Sequence, residues 1–322
     1  MSATCRLRRA TAAAAPLLMM LVLAVPLTAT DYRLYVLAGQ SNMEGYGTVA
    51  ELPDSLMGIH EEVRIFHGTR QADGEKPHGL GQWSPLRPGH GAGFSATLDS
   101  LRYGTRFGPE LGFATRLRER RPKTPIALIK YAKDGTGIDS AAAGDFGCWD
   151  PDLRRGSGFN QYDFFLATLR NALAVRDIDG DGTPDRLIPA GIVWMQGESD
   201  AAFSEAVAHR YEANLRRLMD LFRAALRVDD LPVVIGRISE SGRDEDGIVW
   251  THGDIVRAAQ ERYTRGDACA ALVTHTDRYA YSDPWHYDAA GFIDLGFRMA
   301  EAMADLEARC GAGASGPGTR DE

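Results

Sequence analysis

The sequence has few cysteines, no excess of positive charge and no long uninterrupted apolar run. Acidic residues outnumber basic residues by 44 to 36, which gives a net charge of −8. This negative charge argues against nucleic acid or an anionic membrane as the partner. The most apolar stretch, residues 12–27, is interrupted by Pro16 and Pro26, and it is shorter than the roughly 20 residues that a membrane span needs. The sequence contains no internal repeat and no evident heptad pattern or long apolar patch. It therefore indicates no repeat fold and leaves the oligomeric state open.

The first thirty residues have the pattern of a secretory signal peptide. Arg6, Arg8 and Arg9 precede the apolar stretch, and small residues follow it at positions 28–30. We therefore expect residues 1–30 to be removed and the mature protein to be secreted or periplasmic, with no stable membrane span. The remaining chain holds 33 basic and 44 acidic residues, a net charge of −11.

The cysteines left after removal of Cys5 allow at most one internal disulfide. They are Cys148, Cys269 and Cys310. Cys310 ends the last predicted helix and can reach back to Cys269, so we predict that these two pair. Cys148, beside Trp149, is then a buried free thiol.

The composition is that of a globular protein, with 44% hydrophobic and 25% charged residues. About 290 residues remain after the signal peptide, enough to bury the core of one large domain over residues 31–310. Residues 311–322, rich in glycine, alanine and serine, are predicted to form a disordered tail.

Apolar strand-like runs alternate with amphipathic helical stretches, which predicts an α/β fold with a mostly parallel, five-stranded sheet covered by helices. The predicted strands are residues 32–38, 125–131, 190–195, 231–238 and 270–274. The predicted helices are residues 109–121, 162–175, 203–226, 254–265 and 288–308. Residues 50–100 carry many glycines, prolines and histidines without periodicity, so we expect long loops there.

Polar segments follow four of the predicted strands. They are residues 39–43, 133–137, 196–200 and 283–286. Ligands bind at the carboxyl ends of the strands in open parallel sheets. We therefore expect these segments to meet at one site.

These segments contain the groups that a serine needs for acyl transfer. Ser41 follows Gly39, where the chain turns sharply, so its hydroxyl is the candidate nucleophile. His286 is the candidate base, and Asp283, three residues earlier, is the candidate carboxylate that orients it. Each of these groups alone has a common structural explanation, such as a helix N-cap at Ser41. Their combined occurrence after successive strands favours catalysis.

The oxyanion of such a reaction needs hydrogen-bond donors. The candidate donors are the backbone N–H groups of Ser41 and Gly135 and the side-chain amide of Gln196. The remaining histidines, at positions 60, 67, 78, 90, 209, 252 and 275, show no zinc-like pair spacing.

Four motifs resemble one branch of the SGNH hydrolases. Residues 39–43 (GQSNM), 107–110 (FGPE), 194–200 (WMQGESD) and 283–286 (DPWH) are similar to those of sialate O-acetylesterases and acetyl xylan esterases, carbohydrate esterase family six. The resemblance implies a flavodoxin-like three-layer α/β/α sandwich. It also implies a metal-independent serine esterase that removes acetyl groups from carbohydrates such as acetylated xylan or sialic acid.

By position in these motifs, Ser41 matches the family nucleophile, His286 the base and Asp283 the acid. Gly135 matches the glycine of the second block, and Gln196 stands where other SGNH hydrolases carry an oxyanion asparagine. The resemblance also makes Glu198 a second candidate to orient His286, and the sequence leaves this choice open.

Two other functions remain open on the same residues. The triad recognises only the ester, so an esterase or lipase acting on non-sugar acyl esters is one alternative. A carbohydrate-binding protein that keeps the fold without turnover is the other. In all three cases we expect the loops of residues 50–100 to select the ligand.

A further motif is typical of a calcium loop. Carboxylates occupy positions 1, 3, 5 and 9, a threonine position 7 and a glycine position 6. The candidate ligands are Asp177, Asp179, Asp181, Thr183 and Asp185. Position 12 is Ile188 instead of the bidentate glutamate of an EF-hand, and a solvated Asp-Gly turn fits the same pattern. Calcium bound there would stiffen the loop before the third predicted strand and is not required for catalysis.

Overall fold

A seven-stranded sheet forms the centre of the computed structural model, which describes Met1 and residues 29–97 and 99–310. Its strands are β1 (Asp31–Gly39), β3 (His60–His67), β4 (Trp83–Leu86), β8 (Ile126–Ala132), β9 (Arg186–Met195), β10 (Val233–Gly236) and β11 (Ala270–Val273). The sheet order is β11-β10-β9-β1-β8-β3-β4, and all neighbouring strands are parallel except β4, which runs antiparallel to β3. Two short ladders join β2 (Gly47–Thr48) to β7 (Arg106–Phe107) and β5 (Ser95–Ala96) to β6 (Leu101–Arg102).

The predicted α/β fold is confirmed, but the predicted number of five strands is wrong. The two additional strands, β3 and β4, lie within residues 50–100, which were predicted to be long loops. β3 carries the exposed Glu61 and Glu62 near its start and only then turns apolar, so its alternation is broken. β4 has four residues and contains Pro85, which is tolerated because β4 is an edge strand.

Helices cover both faces of the sheet. They are α1 (Ser41–Glu44), α2 (Glu110–Arg120), α3 (Gln161–Ala174), α4 (Glu198–Phe203), α5 (Glu205–Leu226), α6 (Gly253–Arg265) and α7 (Ala289–Cys310). Trp194 of β9 packs against Phe222 of α5, with ring centroids 6.1 Å apart. Gly191 of the same strand lies under Met303 of α7. Because residues 191 and 194 point to opposite faces of a strand, α5 and α7 lie on opposite sides of the sheet, as in a three-layer sandwich.

The predicted disulfide is confirmed. Cys269, just before β11, is bonded to Cys310 at the end of α7, and the two are 41 residues apart in sequence. Cys148 is a buried free thiol, as predicted.

The predicted signal peptide (residues 1–30) and the predicted tail (residues 311–322) lie outside the described residues, except for Met1, Ala29 and Thr30. Within the described part of the chain, no helix is long and apolar enough to cross a membrane.

Candidate active site

A sharp turn after the central strand presents Ser41. β1 ends at Gly39, whose φ of +146° and whose closeness to the Met195 carbonyl, 2.0 Å from where a Cβ would stand, exclude any side chain. The chain then enters α1, of which Ser41 is the first residue. The Ser41 N–H is therefore one of the amide groups that a helix cannot satisfy itself.

His286 is held by Asp283. The His286 Nδ1 lies 2.7 Å from Asp283 Oδ2. The other carboxylate oxygen accepts hydrogen bonds from the N–H groups of Trp285 and His286, each at 2.8 Å. Partial burial opposes ionisation of Asp283, but the bond from the His286 ring and these two N–H groups lower its pKa below the usual range. The ring of Tyr46 stacks flat on the imidazole, with centroids 3.8 Å apart.

Asn42 joins the nucleophile turn to the loop that carries His286. Its Nδ2 donates to the Trp285 carbonyl at 3.1 Å, and its Oδ1 accepts from the Tyr287 N–H at 3.4 Å. The residue after Ser41 thus contacts the residues on both sides of His286. Among the described residues, no hydrogen bond links Ser41 Oγ to the His286 ring. Bonds of this kind are often long without substrate and tighten when it binds.

Glu198 contacts Asn42 and not His286. Its Oε1 accepts from Asn42 Nδ2 at 2.9 Å, and its Oε2 is buried with no partner among the described residues. Burial raises the pKa of Glu198 to about 7, although the Asn42 bond opposes this shift. Of the two carboxylates considered from the sequence, the structure places Asp283 against the imidazole.

The loop after β8 carries Gly135 beside the nucleophile turn. The Lys133 N–H donates to the Gly39 carbonyl at 3.2 Å, which ties the two strand ends together. Gly135 has a φ of +66°, and a Cβ there would stand 2.4 Å from the Phe146 ring. Its N–H donates to no other described residue, so it is available to a ligand.

Gln196 also contacts the loop that carries Gly135, but its side-chain amide already donates hydrogen bonds within the protein. Its Nε2 donates to the Thr136 carbonyl at 3.0 Å and to Asp200 Oδ2 at 2.6 Å, so both amide hydrogens are used. Asp200 is fully buried and also accepts from the N–H groups of Ile138 and Asp139. A buried carboxylate needs such donors, and Gln196 supplies one. This geometry does not match the predicted donation by the Gln196 side chain to an oxyanion.

Sequence reasoning missed the structural roles of Asn42 and Gln40. Gln40 Oε1 accepts hydrogen bonds from the N–H groups of Gly197 and Ser199 at 3.2 and 3.3 Å. These bonds fix the chain after β9 to the chain after β1. Both residues belong to the motif around Ser41, residues 39–43. This position in the sequence could have indicated that they contact the site.

The acidic loop lies at the opposite edge of the sheet. Carboxylate oxygens of Asp177, Asp179 and Asp185 lie within 4.8 Å of one another, whereas Asp181 is not part of this group. Asp179 accepts a hydrogen bond from Tyr32 at the amino end of β1, while Ser41 follows its carboxyl end. A nine-residue strand separates the two by about 30 Å.

The chain shares its fold with solved structures of other proteins. A protein from Arabidopsis thaliana is 19% identical, with a TM-score of 0.59 over 86% of this chain and 99% of its own. NanS is 16% identical, with a TM-score of 0.58 over 88% of this chain and 100% of its own. XAC1771 from Xanthomonas citri, a carbohydrate acetylesterase, is 17% identical, with a TM-score of 0.56 over 88% of this chain and 57% of its own.

The sequence itself matches a family over nearly all the described residues. No match is found among curated protein sequences. Residues 31–305 match the family described as carbohydrate esterase, sialic acid-specific acetylesterase. The chain therefore belongs to the sialic acid-specific acetylesterase family of carbohydrate esterases and is a carboxylic ester hydrolase.

Proposed function

We propose that the protein is an exported serine esterase that removes O-acetyl groups from carbohydrates through Ser41, His286 and Asp283. The observation that carries this proposal is the position of His286, which Asp283 holds at 2.7 Å and which Asn42 ties to the Ser41 turn from both sides. The predicted signal peptide supports export.

The imidazole moves the proton. With the proton on Nδ1 donated to Asp283, His286 Nε2 is left as an acceptor. Ser41 Oγ attacks the acetyl carbonyl while Nε2 takes its proton, and the same proton then goes to the departing sugar oxygen. Water, activated by His286 in turn, releases acetate from Ser41.

The developing oxyanion needs donors that are free before the reaction begins. The N–H groups of Ser41 and Gly135 meet this condition, whereas the amide hydrogens of Gln196 do not. We therefore assign the oxyanion to the two backbone groups. Gln196 instead links Asp200 of α4 to the Thr136 carbonyl in the loop that carries Gly135.

No metal takes part in this mechanism. Three carboxylates within 4.8 Å of one another suit the oxygen preference of Ca²⁺, and Asp177, Asp179 and Asp185 would hold it. Their place at the amino end of β1 gives such an ion a structural role, distant from Ser41.

Acetate release tests the proposal. The purified mature protein is incubated with 4-nitrophenyl acetate and with acetylated xylan, with and without a chelator. Release that survives chelation and falls at least about a thousandfold in Ser41→Ala supports a serine esterase.

Ser199→Ala is the matched control, because Ser199 is the serine of the other strand-end motif. Its activity is expected to equal that of the wild type. Full activity of Ser41→Ala would refute the mechanism. Sugar binding without any release would favour a binding protein, and a preference for longer acyl chains would favour a general esterase.

A further inference from the structure

The phenol ring of Tyr46 covers one face of the His286 imidazole. The ring centroids are 3.8 Å apart and the ring planes differ by 1°. Asp283 holds the Nδ1 edge of the imidazole at 2.7 Å. The χ2 torsion of a histidine has only broad intrinsic preferences, so this single hydrogen bond leaves the ring free to pivot about it. A second ring lying flat on the imidazole removes that rotation, and the two contacts together fix the position of Nε2.

Tyr46 is itself held at both ends. Its carbonyl accepts a hydrogen bond from Arg106 Nη1 at 2.6 Å, and Arg106 belongs to the short ladder of β2 and β7. The Tyr46 hydroxyl donates to Asp134 Oδ2 at 3.1 Å. Asp134 immediately precedes Gly135, whose N–H group we assign to the oxyanion. The Tyr46 side chain therefore connects the candidate base to the loop that presents one oxyanion donor.

Asp134, the acceptor of the phenol, is anchored to the helix that begins with Ser41. Its N–H group donates to Glu44 Oε2 at 2.7 Å, and Glu44 is the last residue of α1. Lys133 pairs with both carboxylates, and its Nζ lies 3.4 Å from Glu44 Oε1. The positive charge of the lysine offsets the repulsion between the two acidic side chains. Asp134 is thus a fixed acceptor for the Tyr46 hydroxyl.

The surroundings of Tyr46 keep its hydroxyl protonated. Burial raises the pKa of Tyr46, and the negative charges of Glu44, Asp134 and Asp283 raise it further, as does the hydrogen bond to Asp134. An ionised phenol would repel the Asp134 carboxylate and lose this bond. The phenol therefore remains a neutral donor at the neutral pH at which an imidazole acts as a base.

We propose that Tyr46 is a positioning residue, whose ring sets the plane of the His286 imidazole and whose hydroxyl ties that plane to the Gly135 loop. Ser41, His286 and Gly135 come from three separate segments of the chain, so a contact shared between segments is needed to keep them aligned. A misplacement of about 1 Å in a reacting group can cost about a hundredfold in rate. This inference rests on the proposed esterase function of these residues.

Two substitutions at position 46 separate the two contacts. Tyr46→Leu removes both the ring and the hydroxyl, and we expect kcat for 4-nitrophenyl acetate to fall about a hundredfold. KM should change little, because Tyr46 acts on the base and not on substrate binding. Tyr46→Phe keeps the stacked ring and loses only the bond to Asp134, so its kcat should fall by less than about tenfold.

Tyr263→Leu is the matched control. The Tyr263 hydroxyl also donates to an aspartate, Asp267 Oδ2, at 3.3 Å. Tyr263 lies near the end of α6, which leads into the amino end of β11, at the edge of the sheet opposite Ser41. Because Tyr263 is buried, its loss should lower the melting temperature but leave kcat close to that of the wild type.

The proton on His286 Nδ1 reports the orientation of the imidazole without any turnover. A proton held between His286 and Asp283 gives a proton NMR resonance at low field, because the bond is charge-assisted and short. Asp283→Asn assigns this resonance by removing it. We expect Tyr46→Phe to keep the resonance and Tyr46→Leu to lose it, with melting temperatures showing that both variants are folded.

Either an unchanged kcat or an unchanged resonance in Tyr46→Leu would overturn the inference while leaving the esterase intact. An equal loss of kcat in Tyr46→Phe and Tyr46→Leu would also overturn it, because the ring would then not set the imidazole. Absence of acetate release by the wild type would instead refute the proposed function on which the inference rests.

Discussion

Replacing Asp283 with asparagine tests how His286 is oriented. The oxygen of the new amide would keep the bonds from the Trp285 and His286 N–H groups, which lie 2.8 Å from Asp283 Oδ1. The amide nitrogen would then face His286 Nδ1, where Asp283 Oδ2 now lies at 2.7 Å. An amide donates at this position, so the imidazole would carry its proton on Nε2 and could not accept the proton of Ser41.

The expected loss is large because the geometry is kept and the tautomer is wrong. A comparable change in a serine protease triad lowers kcat by about 10⁴. We expect Asp283→Asn to lower kcat by about 10³- to 10⁴-fold, which raises the activation free energy by about 4 to 5.5 kcal/mol. The assay is the steady-state hydrolysis of 4-nitrophenyl acetate over a range of concentrations, with the melting temperature measured in parallel.

Glu198→Gln is the comparison that separates the two candidate carboxylates. A glutamine at position 198 can still accept a hydrogen bond from Asn42. We therefore expect kcat to fall by less than about tenfold, because Glu198 does not contact the reacting groups. A small loss in Asp283→Asn together with a thousandfold loss in Glu198→Gln would refute our assignment and give the orienting role to Glu198.

Three further predictions concern stability. Burial raises the pKa of Glu198 to about 7, so the native state binds more protons than the unfolded state between about pH 4.3 and 7, and stability falls as pH rises through this range. Urea unfolding should therefore show that, as pH rises from 4.5 to 8, the free energy of unfolding of Glu198→Gln increases relative to that of the wild type by up to about 3 kcal/mol. Equal pH profiles would contradict this. The Cys269–Cys310 bond closes a loop of 41 residues, so Cys310→Ser should lower the free energy of unfolding by up to about 4 kcal/mol, as measured by urea unfolding, with little change in kcat. Ca²⁺ should raise the melting temperature of the wild type but not that of Asp179→Asn, while acetate release is unaffected. An unchanged melting temperature of the wild type would mean that residues 177–185 form a solvated turn.

The strand ends of the site could be predicted because their sequence signals are local. Gly39 with Ser41, and Asp283 with His286, each stand within a few residues of one another. Alternating apolar runs and helices then dictate that the carboxyl ends of the strands meet at one edge. The pairing of Cys269 with Cys310 was predicted from the position of Cys310 at the end of the last helix.

The parts that could not be predicted depend on contacts between distant residues. Asn42 bonds to the chain 243 residues away at Trp285, and no local pattern indicates this contact. Gln196 was given to the oxyanion because spacing does not reveal that the buried Asp200 takes its amide hydrogen. β3 was missed because two consecutive glutamates near its start break the apolar pattern.

Covalent trapping of the acetyl group tests whether Ser41 is the nucleophile. The wild type is mixed with a saturating acetate ester, quenched in acid within the first turnovers and digested, and the peptides are analysed by mass spectrometry beside Ser41→Ala treated in the same way. We expect one added acetyl group on the peptide that contains Ser41, absent from the variant. Acetylation of another residue, or turnover in Ser41→Ala, would contradict it.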